Sequence, residues 1–445
     1  MPNTQKLLIQ GGRVIDPSSN FDQDADILVE NGVIAAIDKP GSFANTPGIA
    51  EILNAKGAWV MPGFIDIHVH LREPGFEYKE TIETGTKAAV AGGFTSIACM
   101  ANTQPVNDNA AVTSFIRERA RQYGACRVYP IGAVTRGLKG TELAEIGGMV
   151  EEGVRALSDD GLPVMNSYVM RKAMDYAKAF AIPIISHAED ASLVGQGVMN
   201  ESALSTELGL RGNPAAAEEI MVARDIALCR LTRCPVHFAH ISTALAIDHI
   251  KRAKEAGLPI TAEASPHHLT LTEENIRGYD TRFKVCPPLR SHEDMLAVRK
   301  ALADGTLDLI ASDHAPHGVI DKFVEFDQAS NGLIGLQTTI PLTLFLVKEG
   351  QLSLSRWIES LTSKPAKLLG LPLGTLKKGA PADITIIDPE RKWIFTEERI
   401  VSKSRNSPYV GHSLQGEVVA TVVEGKIRFK SEDSGRHSPN PRKHS

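Results

Sequence analysis

A chain of 445 residues is too long for one small core and suits a barrel of roughly 250–300 residues with a second module beside it. Hydrophobic residues at 42% and charged residues at 23% give the balance of a soluble globular chain with ample core. A formal charge of -5, with no basic stripe outside the tail, excludes a nucleic-acid footprint. The opening residues Met1 to Lys6 lack the basic-then-apolar pattern of a secretory leader. The best apolar run, Leu342 to Val347, follows Pro341 and is too short for a membrane span. Five scattered cysteines, an odd number with no CxxC pair, read as reduced thiols in a cytoplasmic protein, with Cys99 and Cys229 as small buried hydrophobes.

In chain order, residues 1–57 read as the first part of a β-module, with 6–57 as strands joined by tight turns. Leu7-Leu8-Ile9-Gln10 runs into Gly11-Gly12, and Ile27-Leu28-Val29 meets Val33 to Ile37 across Asn31-Gly32, a strong hairpin signal. From 58 to 371, short apolar strands alternate with amphipathic helices, the pattern of a parallel sheet with crossover helices. Strands fall at about 62–68, 94–100, 127–134, 154–159, 183–187, 235–240, 259–264 and 308–313. Helices fall between them, among them Ala110 to Tyr123, Val169 to Ala179, Ala215 to Leu231 and Glu293 to Ala303. Eight strands over this length predict an α/β fold closed into a TIM-like (β/α)8 barrel. An open doubly wound sheet is the alternative, but no glycine-rich dinucleotide fingerprint follows the first strand. Residues 372–430 return to strand texture at Ala382 to Ile387 and Val418 to Val423, the latter turning at Glu424-Gly425-Lys426. Both chain ends are therefore expected to pair into one small β-sandwich module. The tail, 431–445, rich in Ser, Pro, Arg and His, lacks apolar periodicity and is expected to be disordered.

The first barrel strand ends in Asp66-Ile67-His68-Val69-His70. Side chains two apart on a strand share a face, so His68 and His70 can aim at one point inside the barrel mouth. Imidazole there is a natural ligand for Zn2+ or a similar borderline ion. A histidine pair alone is weak evidence, since such pairs arise by chance. The case grows because Asp160, His187, His240 and Asp313 each end a further strand. Unrelated structural roles would have to put metal-type side chains at five of eight strand ends. Six ligands exceed the three that one catalytic zinc needs besides its water, which points to two Zn2+ ions sharing a bridging carboxylate and a bridging hydroxide. Asp313 is placed to be both ligand and catalytic proton shuttle, between an attacking water and a leaving nitrogen.

These residues carry a resemblance. Phe64-Ile65-Asp66-Ile67-His68-Val69-His70-Leu71-Arg72-Glu73-Pro74-Gly75 resembles the signature of the amidohydrolase superfamily, specifically of class I bacterial dihydroorotases. Ser312-Asp313-His314-Ala315-Pro316-His317 resembles the second signature. The similarity runs from the N-terminal β-module to about Phe429, through Ser158-Asp159-Asp160-Gly161, Ser186 to Asp190, Ala239 to Thr243 and Pro287-Pro288-Leu289-Arg290. It implies a zinc hydrolase of cyclic amides that interconverts N-carbamoyl-L-aspartate and L-dihydroorotate in pyrimidine synthesis. It also makes Asp160 the bridging carboxylate, where hydantoinases and allantoinases generally carry a carboxylated lysine; no lysine stands between Arg155 and Gly161. Family spacing from His68 favours Asp160 over the competing Asp159.

The resemblance further implies a substrate site built from His70, Leu71, Arg72, Asn102, Cys286, His317, Asn331 and Gly332. Arg72 matches the carboxylate anchor, since a guanidinium meets a carboxylate bidentately, and Asn102 and His317 match the other carboxylate-binding positions. Two departures stand out. Cys286 replaces the asparagine of most relatives with a poorer hydrogen-bond partner, and Asn331-Gly332 stands where relatives often have Phe-Gly or Pro-Gly, so backbone groups would carry that contact. By resemblance the protein is a homo-oligomer, and aspartate transcarbamoylase is a candidate partner, because some class I relatives associate with it.

Blander readings compete at several positions. Arg72 could pair with Glu73 or Glu77, a bond of little worth at a surface, and Asn102 could be a turn residue before Pro105. His267 and His268 read as structural, His237 as core, and His314 has no strand-end direction of its own. Lys79, Thr81 and Glu83 read as ordinary helix residues. Two rival functions remain: a hydantoinase-like or allantoinase-like hydrolase, and a non-catalytic homologue supporting aspartate transcarbamoylase. The filled set of six ligand positions argues against the second.

Overall fold

The computed structural model describes residues 6–432. The expected disordered tail lies outside the described residues from 433 onward; Ser431 still donates its N–H to Val419 O at 2.9 Å.

Strand Lys6–Asp16 pairs antiparallel with Phe21–Glu30, which turns back at Asn31-Gly32 into Val33–Asp38. Asn31 and Gly32 have φ of 53° and 80°, the two left-handed positions of a tight hairpin, which explains why this dipeptide marks the turn. Trp59–Pro62 pairs with Lys6–Asp16 on one side and with Ile384–Ile394 on the other. Ser413–Val423 and Lys426–Lys430 follow, and Ile49–Asn54 lies along the first strand, so strands from both chain ends form one connected eight-stranded sheet. Its apolar side gathers Leu7, Ile9, Val14, Ile27, Ile384 and Val422 into a core of its own.

The middle of the chain is a TIM-barrel-like α/β arrangement. Phe64–Val69, Phe94–Cys99 and Arg127–Pro130 run parallel, as do Ile184–Ser186, Val236–Phe238, Ile260–Ala264 and Leu309–Ile310. The first two are buried at every residue, as strands covered by helices on one face and packed interior on the other must be. The strand expected at 154–159 shrinks to isolated parallel bridges from Leu157 to Gly132 and to Ile184. The ladder stops there because the chain leaves it at Asp159, whose carboxylate takes the Val134 and Thr135 N–H groups at 2.7 and 3.1 Å. The first and last strands meet through a parallel bridge from Val69 to His314 and the bond from His70 N to His314 O at 2.9 Å.

Helices between the strands start where side-chain caps satisfy free N–H groups. Asn109 opens Ala110–Tyr123, Asn166 opens Ser167–Ala179 and Ser291 opens His292–Asp304; Ala216–Thr232 completes the set read from periodicity. Between the parallel strands, Ile65, Ile67, Ala98, Ile131, Ile185 and Leu309 pack together with Ala366 and Leu369. This apolar floor leaves the polar strand ends at the opposite rim. The terminal sheet is fastened to the parallel strands by Thr385, whose hydroxyl donates to Gly93 O at 2.6 Å and accepts Phe64 N–H at 3.1 Å, and by the Arg127–Asp383 pair at 2.9 Å. No helix among the described residues is long and apolar enough to cross a membrane.

Candidate metal centre and active site

Six side chains from distant parts of the chain converge at the strand ends. Asp160 lies at the centre: its Oδ1 is 3.3 Å from His68 Nε2, 3.5 Å from His187 Nδ1 and 3.5 Å from His240 Nε2. Its Oδ2 is 3.5 Å from His70 Nε2. Asp313 Oδ1 lies 3.4 Å from His70 Nε2 and 3.6 Å from His68 Nε2. His187 Nδ1 and His240 Nε2 approach to 3.0 Å. The result is two donor groups, His68–His70–Asp313 and His187–His240, with Asp160 between them. Asp159, its neighbour, instead faces the Thr135 hydroxyl and the Val134 and Thr135 backbone N–H groups, which removes it from this cluster.

This donor set fits divalent cations. None of the six residues exposes more than 6%, so Asp160, Asp313 and the adjoining Glu263 carry carboxylates in a volume that water cannot neutralise. Burial alone would raise Asp160, yet His68, His187 and His240 hold it well below the usual carboxylate range. Burial likewise opposes the charged form of His68, and Asp160 and Glu263 overcome it, raising His68 well above its ordinary value. The cluster therefore requires positive charge. His68 Nε2 and Asp160 Oδ1 are also buried without a hydrogen-bond partner, which a shared cation would supply. Imidazole nitrogens and carboxylate oxygens are the donors that zinc and similar ions take.

Backbone strain accompanies the site. Arg72, His240 and Asp313 adopt φ of 62°, 31° and 48°, in the left-handed region that only a small fraction of non-glycine residues occupy. His70 is oriented from behind: its Nδ1 donates to Asn102 Oδ1 at 2.9 Å, which turns Nε2 to the carboxylates. Asn102 also donates to Asp160 O at 3.4 Å, so both ends of its amide serve the cluster.

The candidate anion pocket adjoins this cluster. Neither Glu73 nor Glu77 takes Arg72, because Glu73 pairs with Arg119 at 2.7 Å and Glu77 accepts Gly75 N–H at 2.8 Å. Arg72 Nε donates to Pro316 O at 3.1 Å and Nη2 lies 3.3 Å from His317 Nε2, leaving the half-buried guanidinium with no ion-pair partner among the described residues. Desolvation lowers its pKa to about 10, against the pull of Asp313 and Asp160. His317 Nε2 donates to Asn331 O at 2.8 Å, and burial beside Arg72 and Lys79 keeps its ring neutral. Lys79 Nζ lies 3.3 Å from His317 Nδ1, so Lys79 belongs to the pocket wall rather than to an exposed helix face. Gly332, at φ 129°, passes so close to Ala315 that an added Cβ would lie 2.5 Å from the Ala315 methyl. The Leu71 side chain is turned into the apolar core and is not brought to the pocket.

The amidohydrolase family model matches residues 59–428. A dihydroorotase of Syntrophotalea carbinolica is 53% identical over 428 residues, covering 96% of this chain and 100% of the relative. One of Pelobacter propionicus is 51% identical over 424 residues, covering 95% and 99%. The chain belongs to the dihydroorotase family of amidohydrolases. Among solved structures, the L-hydantoinase of Arthrobacter aurescens matches with a TM-score of 0.85 and 26% identity, covering 95% of both chains.

One residue that supports this dihydroorotase-family site escaped the sequence reading. Glu263, fully buried in Ile260–Ala264, accepts His68 Nδ1–H at 2.7 Å, His237 Nε2–H at 3.0 Å and the His240 backbone N–H at 3.2 Å. Burial would raise its pKa, but His68 and His237 hold it down at about 2. It fixes the tautomer that directs His68 Nε2 into the cluster, and His237, read as core, is its second partner. A charged residue between two alanines of a buried strand was the available signal. Glu263→Gln is expected to weaken cation affinity about 10–100-fold, measured by competition with a chromogenic chelator.

Proposed function

We propose that this chain catalyses the reversible, zinc-dependent interconversion of N-carbamoyl-L-aspartate and L-dihydroorotate. The observation that carries the reading is the half-buried Arg72 guanidinium, without an ion-pair partner among the described residues, beside a buried histidine–carboxylate cluster: a carboxylate anchor next to a hydrolytic centre. His68, His70 and Asp313 would hold one ion and His187 and His240 another, with Asp160 between them. Two zinc ions bound there would polarise the ring carbonyl and make a shared water acidic enough to lose its proton near neutrality.

The chain's own residues supply the rest. Arg72 binds the substrate carboxylate, with His317 and the backbone at Asn331 and Gly332 completing the wall. Asn102 and Glu263 hold His70 and His68 in register. Asp313 accepts the proton of the attacking water and delivers it to the departing ring nitrogen, and in reverse the same carboxylate serves ring closure. Cys286, at the family's asparagine position, lies beside the cluster, its Sγ 3.8 Å from His187 Nε2, with a weaker hydrogen-bonding group.

We read the fold as a closed (β/α)8 barrel over 58–371, with 1–57 and 372–430 forming a sandwich-like module. The bridges from Leu157 and from Val69 to His314 support closure. Asp160 in place of a lysine supports the class I bacterial subtype. The same reading makes the protein a cytoplasmic homo-oligomer and a candidate partner of aspartate transcarbamoylase. A hydantoinase-like activity is the second reading, favoured by the structural likeness to L-hydantoinase. Steady-state kinetics on dihydroorotate and on dihydrouracil, which lacks the carboxylate, decide between them. The expected kcat/KM ratio favours dihydroorotate by about tenfold or more, the worth of one charge-assisted hydrogen bond. Equal or reversed preference overturns the substrate assignment.

A further inference from the structure

His187 faces two ways. Its Nδ1 meets His240 and Asp160, while Nε2 points to a different group, 3.6 Å from Glu189 Oε2 and 3.8 Å from Cys286 Sγ. Cys286 Sγ and Glu189 Oε2 are 3.3 Å apart. These three donors are of metal-ligating type, and they all lie within 4.8 Å of one another. We propose that His187, Glu189 and Cys286 form a third cation site for a thiophilic divalent ion such as Zn2+, sharing His187 with the binuclear cluster.

The size of the triangle carries the proposal. Tetrahedral zinc with bonds of about 2.3 Å to sulfur and about 2.0–2.2 Å to nitrogen and oxygen spaces its ligand atoms about 3.4–3.6 Å apart. The observed edges of 3.3, 3.6 and 3.8 Å bracket that spacing without rearrangement. Glu189 is held for the purpose: Asn213 Nδ2 donates to Oε1 at 2.8 Å, which leaves Oε2 toward the triangle. Asn213 is itself fixed, since Arg290 Nη1 donates to its carbonyl at 2.7 Å. Cys286 is partly exposed, whereas His187 and Glu189 are buried. Binding releases the thiol proton to solvent, and also the remaining ring proton of His187 when its Nδ1 is ligated, so that the imidazolate bridges two cations. The site depends on cysteine at 286; asparagine there would leave only two strong donors.

The competing account of the same contacts is a thiol donating a hydrogen bond to Glu189, and a spectroscopic titration separates the two. Co2+ is added to full-length protein carrying two zinc equivalents per chain and no excess, so that the binuclear cluster is filled and the third site is not, and thiolate-to-cobalt charge transfer is followed in the near ultraviolet. The proposal expects a band that saturates at one added equivalent, is absent in Cys286→Asn, and requires about tenfold or more Co2+ in Glu189→Gln. No band in the wild-type protein at saturating Co2+, or one that persists in Cys286→Asn, overturns it. The wild-type spectrum decides even where a variant fails to fold. Activity is not read, so the outcome is independent of which cyclic amide the enzyme opens.

Discussion

Asp313→Asn is expected to lower kcat for dihydroorotate hydrolysis about 10³-fold or more, in both reaction directions, with substrate affinity little changed. The substitution keeps shape and one acceptor oxygen near His70 and His68 but removes the group that takes and returns a proton. A positioned general acid–base contributes about 10²–10⁴-fold, and here one carboxylate serves both half-steps. The backbone does not confuse the result: Asp313 sits at φ 48°, where asparagine is among the best tolerated residues. Cation content must be measured alongside, because Asp313 also belongs to one donor group. A variant that keeps its cations and loses less than tenfold in kcat would remove Asp313 from the proton path.

The residues nearest this chemistry were legible because barrels place strand ends at one rim. His68 and His70 follow an apolar strand, and His187, His240 and Asp313 do the same, so periodicity alone aimed them at a common volume. Asp160 was harder, since its strand is hardly a strand; Leu157 makes single bridges before the chain turns away, and only the family spacing favoured it over Asp159. What stayed hidden were partners fixed by three-dimensional closure. Glu263 reaches His68 across 195 residues, and Arg119 takes Glu73 across 46, which frees Arg72. No local pattern encodes either pairing. Lys79 was misread for a related reason: its spacing suits a helix face, but the helix begins at Ile82, and Lys79 lies in the loop before it, against His317. The terminal β-strands were legible in texture and hairpin position. Their union into one sheet rests on Trp59–Pro62 pairing with Ile384–Ile394, more than 300 residues downstream, at a register that no single strand announces.

Arg72→Met should raise KM for dihydroorotate about 100-fold while changing kcat much less. The carboxylate is present in substrate, product and every state between them, so a group that holds it contributes uniform binding, which appears in KM. Hydrogen bonds to a charged partner contribute about 1.5–3 kcal/mol, and each 1.4 kcal/mol is tenfold, which sets the size of the effect. Methionine keeps much of the arginine stem's volume, so packing against Pro316 and His317 changes little. The discriminating control is dihydrouracil: without a carboxylate it gains nothing from the guanidinium, and its KM should hold steady in the variant. If both substrates lost affinity equally, Arg72 would be shaping the loop that carries His317 rather than reading the substrate's charge, and the preference for a carboxylated ring would have to originate elsewhere in the pocket.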